Sequence, residues 1–324
     1  MRGATGYIDF TGQAPYAQFT ERGDVLRRLV HAFQAENYER FIQLRMIVPD
    51  YLDFEPTPFD RFIGEEALYP GMDMDRRITL TNMRYESYLR ADIPLTYEMI
   101  EQKTALQTIV NFLASYASIL IFAVVIFFSN DMLTKDRRHR SLLQGLPIGW
   151  YHLINLKSFV AFFYTGLVLS GFFLLTVGVT TLITGFGSFK LSVPITIPST
   201  QDPDYFGYRF SEFDAMSIAQ FLIMAIAMVL LISYLFIRLN ALFSLIFRNA
   251  WIVLMISLII LFSERIYFSR TFRELFGFEL SNFPQTYFDF GRVISGEKYY
   301  LLHLESINFG KGMMVLLITI IIIE

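Results

Sequence analysis

Asp131-Met-Leu-Thr-Lys-Asp-Arg-Arg-His-Arg-Ser-Leu-Leu-Gln-Gly-Leu-Pro147-Ile-Gly-Trp-Tyr-His-Leu-Ile-Asn-Leu-Lys157 sits between two long apolar runs. Its neighbours, Ala105–Phe128 and Phe159–Phe186, are each long enough to cross a bilayer as a helix, which takes about 20 apolar residues. Between them, Lys135, Arg137, Arg138 and Arg140 crowd close to the end of a span. Basic residues so placed stay on the cytoplasmic side, which fixes the orientation of everything around them.

Composition agrees with a mixed protein. The 324 residues are 54% hydrophobic and 17% aromatic, against about 45–50% apolar for soluble domains. The excess suits membrane spans joined to a substantial polar part. A formal net charge of -3 makes no case for nucleic acid. Cysteine is absent, which removes disulfides, thiolate chemistry and Cys-ligated zinc together.

The expected fold class is an all-α, polytopic membrane protein. Spans are expected near 105–128, 159–186, 218–247, 250–264 and 311–324, with a cytoplasmic loop at 129–157. Residues 104–324 thus form a helical transmembrane domain, and 1–103 a mainly helical polar domain. Within Asp24–Val48, Leu26, Leu29, Val30, Phe33, Phe41, Leu44 and Val48 recur at helical spacing, which predicts an amphipathic helix. Pro49, Pro56, Pro58 and Pro70 then break the chain into turns. Tyr85–Lys103 is expected to lead straight into the first span.

With the basic loop inside, residues 1–103 fall outside the cell, as do Gly187–Ser217 and Glu264–Gly310. Arg238 would reach the inner interface by snorkelling. Arg265, Arg270, Arg273, Arg292 and Lys298 in the outer loop run against the rule, which counts basic residues rather than net charge. No leader or apolar run follows Met1 to export the N-terminal region. Either the assignment is inverted, or a first span precedes the chain; the apolar C-terminal run favours the second. The expectation is five visible spans of six, in the cell membrane.

From Lys103 onward the chain resembles the permease subunits of ABC-2-type exporters, particularly those of Gram-positive bacteria. Three places carry the resemblance. Lys135-Asp136, Ser141-Leu142-Leu143, Pro147 and Lys157 are similar to that family's cytoplasmic loop, although a glycine often stands where Ser141 is. Phe283-Pro284-Gln-Thr-Tyr287-Phe-Asp-Phe-Gly-Arg-Val-Ile-Ser-Gly296 looks like its proline–aromatic segment before the last span. Lys103 with Phe112-Leu113 resembles the approach to the second span. Residues 1–102 match no such pattern.

The resemblance implies a coupling helix in the loop, seated on a separate cytoplasmic ATPase. Lys135, Asp136, Arg137, Arg138, Arg140, Leu142, Leu143 and Pro147 would form that contact. A basic face, a leucine face and a proline stop fit such a helix. The plainer alternative is a loop that only obeys the charge rule and grips anionic lipid. No Gly-x-x-x-x-Gly-Lys-Ser/Thr motif occurs, so the ATP and Mg would belong to the partner subunit, and no cofactor is expected in this chain. A second permease copy or a related permease would complete the assembly, with a hydrophobic or amphiphilic cargo.

Gln107, Asn111 and Ser115, with Ser118 beyond, recur at helical steps on one face of the first span. They are candidates to line a translocation path; interhelical hydrogen bonding suits such small residues better. Gly166, Ser170 and Gly171 suggest a close-packing face. The aromatics of Arg265–Gly310 are expected mostly to anchor at the interface, or in similar permeases to form short outer helices, with Asp289 and Arg292 as gate candidates. His31, His139, His152 and His303 lack ligand spacing, and no metal site or catalytic set is expected. A sensor with a ligand-binding outer domain, signalling through the basic loop, is the reading from a different class; a membrane-embedded transferase would need catalytic carboxylates or histidines that the sequence does not group.

Overall fold

The computed structural model describes residues 15–47, 70–91, 93–133, 149–198, 212–264, 273–302 and 304–324. Two compact units divide the chain, Met1–Lys103 and Thr104–Glu324. Both are mostly helical, and the second holds the apolar helices.

In the first unit, α1 (Pro15–Gln34), α2 (Tyr38–Ile47), α3 (Pro70–Arg90) and the short α4 (Tyr97–Ile100) are the helices described. The single amphipathic helix expected over Asp24–Val48 is in fact two. Glu36 turns the chain with φ 54, and Asn37 Oδ1 then accepts the Arg40 amide at 3.1 Å, starting α2 as a side-chain cap. Tyr85–Lys103 does not run straight on either. Helix α3 ends at Arg90, and Pro94, which disfavours helix at the residue before it, separates it from α4. Phe41, Ile42, Tyr85, Tyr88 and Ile100 are buried. Above them Arg45 binds Glu101 at 2.5 Å and lies over the rings of Phe41 and Tyr85.

The second unit runs α5 (Ala105–Ala114), α6 (Ile119–Ser129), α7 (Trp150–Thr184), strands β1 (Ser192–Ile197) and β2 (Glu212–Ser217), α8 (Ile218–Ile246) and α9 (Ala250–Phe262). A small ladder follows, β3 (Glu274–Leu275) with β4 (Phe278–Glu279). Two 3-10 turns come next, then α10 (Phe290–Ile294), α11 (Glu297–Leu302) and α12 (Phe309–Ile323). The all-α expectation is therefore amended by two antiparallel ladders. The larger one pairs Ser192 with Ser217 through Ile197 with Glu212. Val193, Ile195 and Ile197 are β-branched and suit such a strand, a signal hidden in a stretch read only as an outer loop.

Among the described residues two helices, α7 and α8, are long and apolar enough to cross a membrane, or three segments if one bent pair is counted as a single span. The bent pair is the run expected as the first span. The helix ending at Ala114 and the one starting at Tyr116 are bent by 82°. The bend falls at Ser115, which is extended, φ -84 and ψ 159, so the α5 ladder stops there. Helix α8 is the hub, packing against α6, α7, α9 and α12. Its start is well specified, since Ser217 and Gln220 form a reciprocal capping box. The free amides at the start of α5 are met by Gly185 and Phe186 carbonyls at 3.0 and 3.2 Å.

Candidate functional site

Polar side chains inside an apolar bundle need partners, and three groups of them in the second unit find them. The innermost centres on Asn240 of α8, which is fully buried. Its amide donates to Ser129 Oγ at 2.6 Å and to the Ile126 carbonyl at 3.1 Å, and its oxygen accepts from Ser257 Oγ. One side chain thereby ties α6, α8 and α9 together.

Two residues earlier on α8, Arg238 is 6% exposed. Its guanidinium pairs with Glu324 beyond α12, donates to Tyr234 Oη at 3.0 Å, and reaches Ser158 Oγ on α7 at 3.4 Å. The Glu324 side chain is itself 37% exposed, so the pair joins a buried guanidinium to a carboxylate at the surface of the unit.

The third group lies where residues 280–302 fold back on the bundle between α9 and α12. Phe288 stacks against Phe236 of α8 at 4.9 Å, and Phe290 sits edge-on to Phe122 of α6 at 5.8 Å. Phe236 lies ten residues before the end of α8, about 15 Å along the axis, so these rings are seated well down the helix. Gly291 allows the approach, because a β-carbon there would overlap the Leu113 carbonyl at the end of α5. Gly296, at φ +72, likewise faces the Thr196 carbonyl of β1. Gly312 lets α12 close on the Tyr287 ring. Tyr287 Oη donates to the Ser281 carbonyl at 2.7 Å. Burial, and secondarily the Glu279 carboxylate, raise its phenol well above the ordinary range, so it stays a protonated donor.

Within this segment Lys298 pairs with Glu264, which lies just past α9, and donates to the Thr286 carbonyl at 2.7 Å. Arg292 Nε lies 3.6 Å from Asp289 Oδ2 and 3.8 Å from Glu297 Oε2. Asp289 is 2% exposed, and its other oxygen takes no hydrogen bond from a described residue.

The path candidates are placed apart. Gln107 is buried and accepts from Thr104 Oγ1 at 2.6 Å, Asn111 is exposed, and Ser115 marks the break, its hydroxyl donating to the Phe112 carbonyl at 2.8 Å. Because the helix ends at Ala114, they and Ser118 do not share one continuous helical face. A β-carbon at Gly166 or Gly171 would meet open space, with no described residue packed against it. The coupling set, Lys135, Asp136, Arg137, Arg138, Arg140, Leu142, Leu143 and Pro147, lies outside the described residues. Asp289 and Arg292, named as gate candidates, do come together. Glu264, Lys298, Asn240 and Glu324 were missed; each is a polar residue in or beside an apolar run, which is the signal that could have found them.

Comparison with protein families, curated proteins and solved structures gives no match. Among the described residues no group of histidines and carboxylates could hold a metal ion.

Proposed function

We propose that the chain is the membrane subunit of an ABC-2-type exporter, multi-pass in the cell membrane, with residues 1–103 outside and the 129–157 loop in the cytosol. The observation that carries this reading is the folded-back segment 280–302. It consists of short helices lodged between α9 and α12, packed on α8 through Phe288 and on α6 through Phe290, at the place where the sequence resembles the family's proline–aromatic segment. The run of apolar helices before it supports the same view. Five visible segments, α5–α6, α7, α8, α9 and α12, would belong to a six-span domain.

Two such subunits, identical or related, would flank a path for a hydrophobic or amphiphilic cargo, whether peptide, lipid-like or drug-like. A separate ATPase bound at Lys135–Pro147 would supply the energy, with ATP and Mg held there. The Arg137 and Arg138 charges would meet acidic groups on that partner, and Leu142 and Leu143 an apolar groove.

Co-purification with the ATPase tests the reading, followed by R137E/R138E. Export coupling predicts that the double reversal abolishes stimulation of ATP hydrolysis while the membrane unit stays folded; undiminished stimulation would remove the docking assignment. Topology can be read independently, since the chain has no cysteine of its own. A thiol introduced by His139→Cys should resist an impermeant reagent in intact cells, and modification from outside would overturn the orientation.

A further inference from the structure

The groups that hold Arg238 differ in kind. Its Nε donates to Tyr234 Oη and its Nη1 to Ser158 Oγ, so both hydroxyls serve as acceptors. Neither hydroxyl donates to a described residue. Two hydroxyl protons therefore stand beside a buried guanidinium without an acceptor. One of them belongs to Ser158, which is 1% exposed, where an unmade hydrogen bond is costly. Nη2 meets the Glu324 carboxylate, which lies at the surface of the unit. A phosphate has more oxygens to offer than a carboxylate, and it suits a guanidinium flanked by two hydroxyls.

We propose that Arg238, Tyr234 and Ser158 form a seat for the phosphate of an anionic phospholipid, filled by the Glu324 carboxylate when no lipid is bound. Exchanging one anion for another keeps the guanidinium paired, so no buried charge is stranded. The displaced Glu324, already part-exposed, is hydrated instead. The seat is fixed in advance: the Phe162 ring of α7 stands edge-on to Tyr234 at 5.9 Å, and the guanidinium lies over the Tyr234 ring at 5.4 Å. An apolar track leads from it. Met224, Ala227, Leu231 and Tyr234 precede Arg238 at steps of three and four, which puts them on its face of α8, and each is half-buried. At Arg238 that face lies between α7, reached at Ser158, and the end of α12, reached at Glu324. From Met224 to Arg238 the helix rises about 21 Å, ample for the acyl chain of one leaflet, about 15 Å of hydrocarbon. With the basic loop inside, the seat belongs to the cytoplasmic leaflet, where basic pockets between helices take anionic head groups. The inference rests on the membrane placement proposed above and needs no ATPase.

Native mass spectrometry of the full chain, released from vesicles of phosphatidylglycerol and phosphatidylcholine in equal amounts, tests it by the lipid retained. The native chain should keep phosphatidylglycerol about tenfold over phosphatidylcholine, and Arg238→Met should abolish that preference. Glu324→Gln removes the resident anion and should raise phosphatidylglycerol retention about fivefold. Should Arg238→Met fail to fold, S158A/Y234F keeps the charge and should lower retention at least about threefold. Equal retention of the two lipids by the native chain would overturn the proposal. So would a Glu324→Gln chain that retains no more phosphatidylglycerol than the native one, which marks the pair as structural only. Displacement of the lipid by inorganic phosphate at equal concentration would also overturn it, since the tail would then contribute nothing. A chain that passes these tests but co-purifies with no ATPase keeps the seat and loses the exporter reading.

Discussion

Helices α7 and α8 are alike in composition and opposite in situation. Both are span-length and apolar, at 35 and 29 residues. Yet the side chains α7 buries are those of Ser158 and Thr165, while Leu167, Phe172, Leu174, Leu182 and Ile183 project outward. Helix α8 buries thirteen residues, among them Phe236, Arg238 and Asn240. Apolar content alone therefore decides that a helix suits an apolar medium, and leaves open whether that medium is lipid or protein. On α8 the buried Arg238 and Asn240 decide the second question, because both take partners from neighbouring helices.

The largest test of that contrast is Phe236→Ala. Removing a ring packed against Phe122 and Phe288 should cost about 4 kcal/mol, read as a fall in the denaturation midpoint in lipid nanodiscs. A loss under about 1 kcal/mol would show that the aromatic stack is loosely packed. Glycines sharpen the same point. Gly291→Ala should destabilise by about 3 kcal/mol, since its methyl group meets backbone rather than a movable side chain. Gly171→Ala on α7, with open space around it, should be neutral or stabilise by up to about 1 kcal/mol through helix propensity.

Asn240→Leu should cost about 2 kcal/mol by leaving Ser129 and Ser257 without their partner. The Ser129→Ala/Asn240→Leu double variant should lose less than the two single changes added together, and strict additivity would deny the network. At the small end, Phe172→Ala on the outer face of α7, at 68% exposure, should move the midpoint by less than about 0.5 kcal/mol. An effect as large as that of Phe236→Ala would mean that α7 is covered by a partner rather than lipid.

How much of this was legible depended on which interactions were local. The limits of α8 could be read closely, because Ser217 and Gln220 cap its start and Arg248-Asn249 interrupt the apolar run. Helix α9 was likewise expected, and its Asn249 cap accepts the Trp251 amide at 3.0 Å. The break at Ser115 was invisible. No proline or glycine marks it, and it is stabilised from a distance by α10 pressing Gly291 against Leu113. The polar stripe drawn through Gln107, Asn111 and Ser115 assumed a helix that continues, whereas α5 ends at Ala114. The β1–β2 ladder was missed because it depends on pairing across the 199–211 connection. For the candidate site, Asp289 and Arg292 could be named from an aromatic loop, but their neighbours could not. Glu264 and Lys298 are 34 residues apart in sequence, and nothing in either one's surroundings specifies the other.

Helix α9 has 13 residues, about 20 Å of rise, against a hydrocarbon layer of about 30 Å. Helix α7 offers about 52 Å. Were both to face lipid, a bilayer would meet one wall too tall for it and one too short. Such a perimeter asks the acyl chains to pinch on one side and the tall helix to lean on another. Membrane thickness then becomes a variable to which this chain should respond.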